Sequence, residues 1–134
     1  MTTIYLAGPI NGATDAEAHD WRDALIAAHP EFHFLDPMVR DYRGREDEAV
    51  EEIVNNDKGD ILISDFIIAY CPKPSVGTSM EVYFAWQKLG PDRVLVVVPD
   101  GAPISPWLRY HSAIVVPTTA AAMAHVSAHV ISGA

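Results

Sequence analysis

Residues 65–99 read DFIIAYCPKPSVGTSMEVYFAWQKLGPDRVLVVVP, and their pattern decides the fold. The runs at 65–70 and 93–99 have the β-branched and aromatic composition of strands. Between them, 78–89 has a helical period; it follows the turn-forming PKPSVG and stops at Gly90, where Pro91 blocks continuation. Strand, helix and strand in succession are the sequence form of a parallel sheet. Working outward, the runs 3–7 (TIYLA), 32–36 (FHFLD) and 113–116 (AIVV) complete five strands, and further helices are predicted over 15–28, 47–64 and 119–130. Thr14 or Asp15 can cap the first of these helices. The expected architecture is α/β: a flavodoxin-like three-layer sandwich, with a five-stranded parallel sheet and helices on both faces. The stretch PDGAPISPWLRYHS, 99–112, reads as a loop over the sheet. No repeat or low-complexity linker divides residues 1–134, so a single domain is expected.

Composition narrows the function. Nine Lys and Arg against eighteen Asp and Glu give a formal charge of −9, with no basic stripe, which argues against nucleic acid as a partner. A small anionic ligand stays possible, because one helix N-terminus binds an anion locally. One cysteine, Cys71, excludes an internal disulfide and fits a reducing compartment. No apolar run approaches the roughly 20 residues of a membrane span, and MTTIYLAGPI lacks the charged start of a signal peptide. A cytoplasmic protein with no membrane partner is the expectation.

Ligands of open parallel sheets bind outside the carboxyl ends of the strands, so AGPINGAT (7–14), LDPMVRDYRGR (35–45) and CPKPSVGTSME (71–81) carry the candidate chemistry. In the second helix, steps of three, four and seven align Val50, Ile53, Val54, Asp57 and Ile61, which puts a carboxylate on the face expected to pack on the sheet. A buried carboxylate must be paired, hydrogen-bonded or shifted in pKa, and such groups concentrate at functional sites. The alternative is that Asp57 reaches solvent at the edge of the stripe. Ser75, Val76, Gly77 and Thr78 lie where a strand end turns into a helix, so their N–H groups can converge on an anion. Glu81 follows in what reads as the first helical turn. The plain alternative there is N-terminal capping by Ser or Thr with a favourably placed glutamate. Two carboxylates beside an anion site suggest glycosidic chemistry, in which one attacks the anomeric carbon and the other manages a proton.

The segments IYLAGPI (4–10), NNDKGDILISD (55–65) and PSVGTSME (74–81), in this order and spacing, resemble the nucleoside 2-deoxyribosyltransferase family and its relatives, the 2-deoxynucleoside 5-monophosphate N-glycosidases. The likeness runs from about residue 4 to 85 and weakens beyond 95. It implies that Glu81 is the nucleophile, Asp57 its companion carboxylate, and Tyr5 the hydroxyl that hydrogen-bonds the nucleophile. It also implies that Gly8 leaves room for the sugar and that Ile10 and Asn11 of the same loop line the substrate. Ser75, with the N–H groups of Val76 and Gly77, matches the phosphate-accepting serine of the hydrolases, where transferases of free nucleosides carry an aspartate. Ser112 of YHSAIVV corresponds loosely to a serine that the hydrolases send across a dimer interface. The resemblance thus implies a nucleoside or nucleotide substrate, no cofactor or metal, and a homodimer or higher homo-oligomer.

Departures matter too. The hydrolases carry an arginine in the first loop where this chain has Asn11; Arg22, Arg40 or Arg43 can stand in for it, the plainer reading of each being a solvated surface charge. Asp36 and Met38 of FLDPM can line a base pocket, while Trp21 in an amphipathic helix reads as buried. The six histidines show no metal-ligand spacing. The resulting expectation is cleavage of the N-glycosidic bond of a 2-deoxynucleoside or its 5-monophosphate, with release of the sugar to water. Transfer of the sugar to another base is the alternative, and a non-catalytic nucleotide-binding module is the alternative of another class. A phosphoacceptor domain fails because the first strand ends in AGPI without an acidic pair, and a flavin carrier fails because GPINGATD lacks a run of Ser and Thr.

Overall fold

A computed structural model describes residues 1–132. Five strands, β1 (Thr3–Ala7), β2 (His33–Leu35), β3 (Phe66–Tyr70), β4 (Val94–Val97) and β5 (Ile114–Val116), form one parallel sheet in the order β2-β1-β3-β4-β5. This is a doubly wound order whose direction reverses between β1 and β3, and the crevice at such a reversal is where ligands bind. The strand period of two sends Ile4 and Leu6 to one face with Leu25, Met123 and Val126, and Tyr5 and Ala7 to the other with Ile61, Val82 and Ala85. Helices α1 (Asp15–Ala28) and α5 (Thr119–Ile131) therefore cover the first face, and α2 (Val50–Leu62) and α3 (Val76–Leu89) the second. Tyr5 points toward the helices that carry Asp57 and Glu81. Among the described residues, no helix is long and apolar enough to cross a membrane.

Local chemistry sets the boundaries. Thr14 accepts from the Glu17 N–H while the Glu17 carboxylate accepts from the Thr14 N–H, a capping box that starts α1 where expected. Gly90 ends α3 at φ +101°, a conformation that strains any other residue. Three expectations need correction. Helix α3 begins at Val76, two residues earlier than predicted, because the Ser75 hydroxyl accepts from the Thr78 N–H and acts as N-cap; Glu81 thus stands in the second turn. The predicted helix over 47–64 splits into a 3₁₀ turn (Glu46–Glu48) and α2, since the backbone leaves the helical region at Ala49 between them (φ −127°, ψ 26°). Its apolar stripe is only partly buried: Ile61 is covered, whereas Val50 and Val54 are 59% and 44% exposed. The loop at 99–112 contains a short helix, α4 (Pro106–Tyr110), which Ser105 caps and Pro106 opens.

Gly8 ends β1 with no room for a side chain. A Cβ there would lie 2.7 Å from Trp21 Cζ2, and Trp21 is held against Tyr70 at 5.0 Å between ring centroids. Gly8→Ala is expected to lower unfolding stability by about 1–3 kcal/mol in urea titrations, the usual cost of overpacking; an unchanged midpoint would contradict this packing.

Candidate active site

The reversal point holds an open cleft of about 150 Å3. The first loop contributes Gly8, Ile10 and Asn11, the segment after β2 contributes Arg40, Tyr42, Arg43 and Glu46, α2 contributes Ile53 and Asp57, and the start of α3 contributes Ser75, Gly77, Thr78 and Glu81. Beneath them Tyr5, fully buried, donates its hydroxyl proton to Glu81 Oε2. Burial first, and then the charges of Glu81 and Asp57, raise the Tyr5 pKa far above the usual tyrosine value, so this hydroxyl stays a donor.

The two carboxylates are coupled. Glu81 is pushed up to about 8 by burial first and by the Asp57 charge second, while the Tyr5 hydrogen bond and the Arg22 charge oppose the rise. Asp57 is pushed up to about 6, again mainly by burial; the charge of Arg40, with Nη2 3.6 Å from Asp57 Oδ1, opposes this, and Asp60 adds to it. Such a pair holds one proton over the interval between two apparent pKa values that belong to the pair. The higher value belongs to Glu81, so near pH 7 the shared proton rests mainly there and Asp57 is the ionised member; the Tyr5 hydrogen bond and the Arg22 charge pull toward the reverse distribution, an ionised Glu81 beside a protonated Asp57.

Of the residues that sequence singled out, Gly8, Ile10, Asn11, Asp57, Ser75, Gly77 and Glu81 meet in this cleft with Tyr5 below. Ser75 also serves the helix, since its hydroxyl donates to Thr78 Oγ1 at 3.0 Å besides capping. Four others lie elsewhere. The Val76 side chain faces outward and is exposed, so only its backbone is available. Asp36 accepts from the Met38 N–H at 2.8 Å and faces Arg22 Nε at 3.7 Å, which occupies it structurally, and Met38 is buried against Ala13 and Ala18. Ser112 follows α4 and donates to the Arg109 carbonyl.

The three arginines overturn the expectation of surface charges. Arg40 lines the cleft and pairs with Asp60 at 2.7 Å. Arg43 closes the segment after β2 onto the first loop: its Nη1 donates to the Ala13 carbonyl at 3.1 Å, and its Nη2 to Asp15 at 2.7 Å and Asp41 at 2.8 Å. Arg22 is fully buried beneath Gly8. Tyr42 and Glu46 also line the cleft, and sequence reasoning passed over both; the dense charge alternation of RDYRGRED was the available signal. Among the described residues, no group of three or more His, Cys, Asp and Glu is placed to hold a metal ion.

The class defined by fold and site is a doubly wound α/β domain with paired carboxylates at its topological switch point. Two solved structures share that fold. A 2-deoxyribosyltransferase from Leishmania mexicana superposes with a TM-score of 0.71 over 96% of this chain and 99% of its own, at 21% identity. A 2-deoxyribosyltransferase from the psychrotolerant bacterium Bacillus psychrosaccharolyticus gives 0.63 over 83% and 82%, at 17% identity. The sequence matches no family model and no curated protein.

The shared proton fixes the sign of the pH dependence. Below about 6 both carboxyls are protonated, between about 6 and 8 the pair holds one proton, and above about 8 both are ionised. Any reaction that needs the singly protonated pair is expected to give a bell-shaped kcat/KM profile with limbs near these values, and Asp57→Asn should remove one limb and cost about 10²–10⁴-fold in rate. A flat profile from pH 5 to 9 would contradict the coupling.

Proposed function

We propose that this protein cleaves the N-glycosidic bond of a 2-deoxynucleoside or its 5-monophosphate through a covalent glycosyl-glutamate. The observation that carries this is the Tyr5–Glu81 hydrogen bond, which aims a carboxylate into a cleft that also holds Asp57. Glu81 forms a bond to the anomeric carbon as the C–N bond breaks; the electron pair leaves with the base nitrogen, which takes its proton from Asp57. Asp57, now ionised, takes a proton from water as the water oxygen attacks the same carbon and Glu81 departs as carboxylate. Two displacements retain the anomeric configuration. The deoxyribosyl substrate class draws support from the solved structures of the same fold, both described as 2-deoxyribosyltransferases.

Ser75 favours a phosphorylated substrate. Its neutral hydroxyl lines the cleft at the N-terminus of α3, where the first helical N–H groups lack intrahelical acceptors and the helix dipole favours an anion. Transfer is the second reading, favoured by what the two structural relatives do: a second base in place of water would recapture the sugar. Self-association belongs to the same proposal. Exposed Met80, Trp107 and Tyr110 give α3 and α4 an apolar outer surface, and Ser112, outside the cleft of its own chain, would act across such a contact.

The test incubates the protein with the four deoxynucleosides, their 5-monophosphates and the matching ribonucleotides, with and without a free base. Base release from deoxy substrates, lowered more than roughly 10³-fold by Glu81→Ala, is expected. Release from monophosphates alone supports hydrolysis with a phosphate contact at Ser75, and new nucleoside on adding base supports transfer. Tight nucleotide binding with no product from the folded protein would overturn catalysis in favour of a binding module.

A further inference from the structure

Arg22 touches neither carboxylate, yet its position is costly. The side chain is 0% exposed, and a guanidinium is taken out of water only where its surroundings compensate. Its donors are spent on carbonyls: Nε to Leu6 at 3.3 Å, Nη1 to Ala18 at 2.6 Å and Nη2 to Gly8 at 3.2 Å. Asp36, its nearest acid, stands at 3.7 Å, beyond hydrogen-bonding distance, so the charge is only partly neutralised where it sits. The Leu6 and Gly8 carbonyls flank Ala7, the last residue of the strand carrying Tyr5, where it meets the loop lining the cleft. We infer that Arg22 is a positioning residue for Glu81: it pins the end of β1 from the α1 side of the sheet and places a fixed positive charge behind the strand that carries Tyr5.

Packing alone does not explain this choice. A neutral donor could satisfy a carbonyl, and a methionine could fill the volume; only the cation adds a field that the carboxylates feel across the sheet. The groups whose charge or hydrogen bond acts on Glu81 are Tyr5 from β1, Asp57 from α2 and, through the sheet, Arg22 from α1, with Arg40 and Asp60 acting on Asp57 and Asp36 on Arg22. Of these, Arg22 and the Tyr5 hydrogen bond favour ionised Glu81, whereas burial and Asp57 oppose it. Without the guanidinium, the pair would hold its last proton to higher pH and less attacking carboxylate would exist near neutrality.

This inference rests on the proposed function for its meaning, but its test does not. Glu81 is titrated by carbon-13 NMR of glutamate-labelled protein, its signal assigned by its loss in Glu81→Gln. Arg22→Met, which keeps volume and removes charge, should raise the Glu81 titration point by about one unit, and Arg22→Lys should leave it near wild type. Asp36→Asn, which unmasks the Arg22 charge and can still cap the Pro37–Val39 turn, should lower it. The upper limb of the kcat/KM profile should move in step. Wild-type titration in both folded Arg22→Met and Asp36→Asn would overturn the inference and leave Arg22 a strut. If Arg22→Met does not fold, the Asp36→Asn result decides alone. A protein that releases no base from any nucleoside removes the proposed activity, while a shifted Glu81 titration would still uphold the electrostatic role.

Discussion

A tyrosine hydroxyl rising from an inner strand to a carboxylate on the neighbouring helix is the contact on which this site depends. Tyr5 sits on β1, with strands on both sides, and is fixed by the sheet rather than by a loop. Its hydroxyl has been deprived of water and needs an acceptor, and Glu81 is that acceptor. The hydrogen bond sets where Glu81 points, and the packing of Val82 and Ala85 on the sheet turns Gly77, Thr78 and Glu81 toward the cleft.

The electrostatics follow from this placement. Two carboxylates in one partly dry cleft cannot both ionise cheaply, and the surroundings divide the work between them. Tyr5 and Arg22 act on Glu81 in favour of the anion; Arg40 offsets part of the burial cost at Asp57, and Asp60 works against it. Arg43 has a different part. With its donors committed to Ala13, Asp15 and Asp41, it ties the segment after β2 to the first loop and holds the two walls of the cleft together. The cations here therefore shape and bias the site.

What was legible in the chain was local or periodic. The strands of 65–99 and 3–7 declared themselves by composition, α1 by Thr14 or Asp15 as its cap, and the end of α3 by Gly90 and Pro91. Asp57 could be named from a helix face and Glu81 from a strand-to-helix turn, whereas Tyr5 was named only through the family resemblance. What stayed hidden depends on partners far along the chain. Nothing near Arg22 announces that it will reach the carbonyls of Leu6 and Gly8, and Arg43 meets Asp15 across 28 positions. The start of α3 was misplaced because Ser75 and Thr78 are both good caps, and only the hydroxyl geometry chooses between them. The exposed Val50 and Val54 show that a clean apolar stripe need not face the core when its helix lies at the rim of a cleft.

The most direct measurement is mass spectrometry of the protein after incubation with a 2-fluoro-2-deoxy nucleoside and its 5-monophosphate, whose fluorine slows breakdown of a glycosyl ester. A mass gain of one fluorinated sugar, mapped by digestion to the peptide containing Glu81 and missing from Glu81→Ala, is the predicted result. Base release that proceeds with Glu81 unmodified, or a sugar attached to another side chain, would contradict Glu81 as the nucleophile.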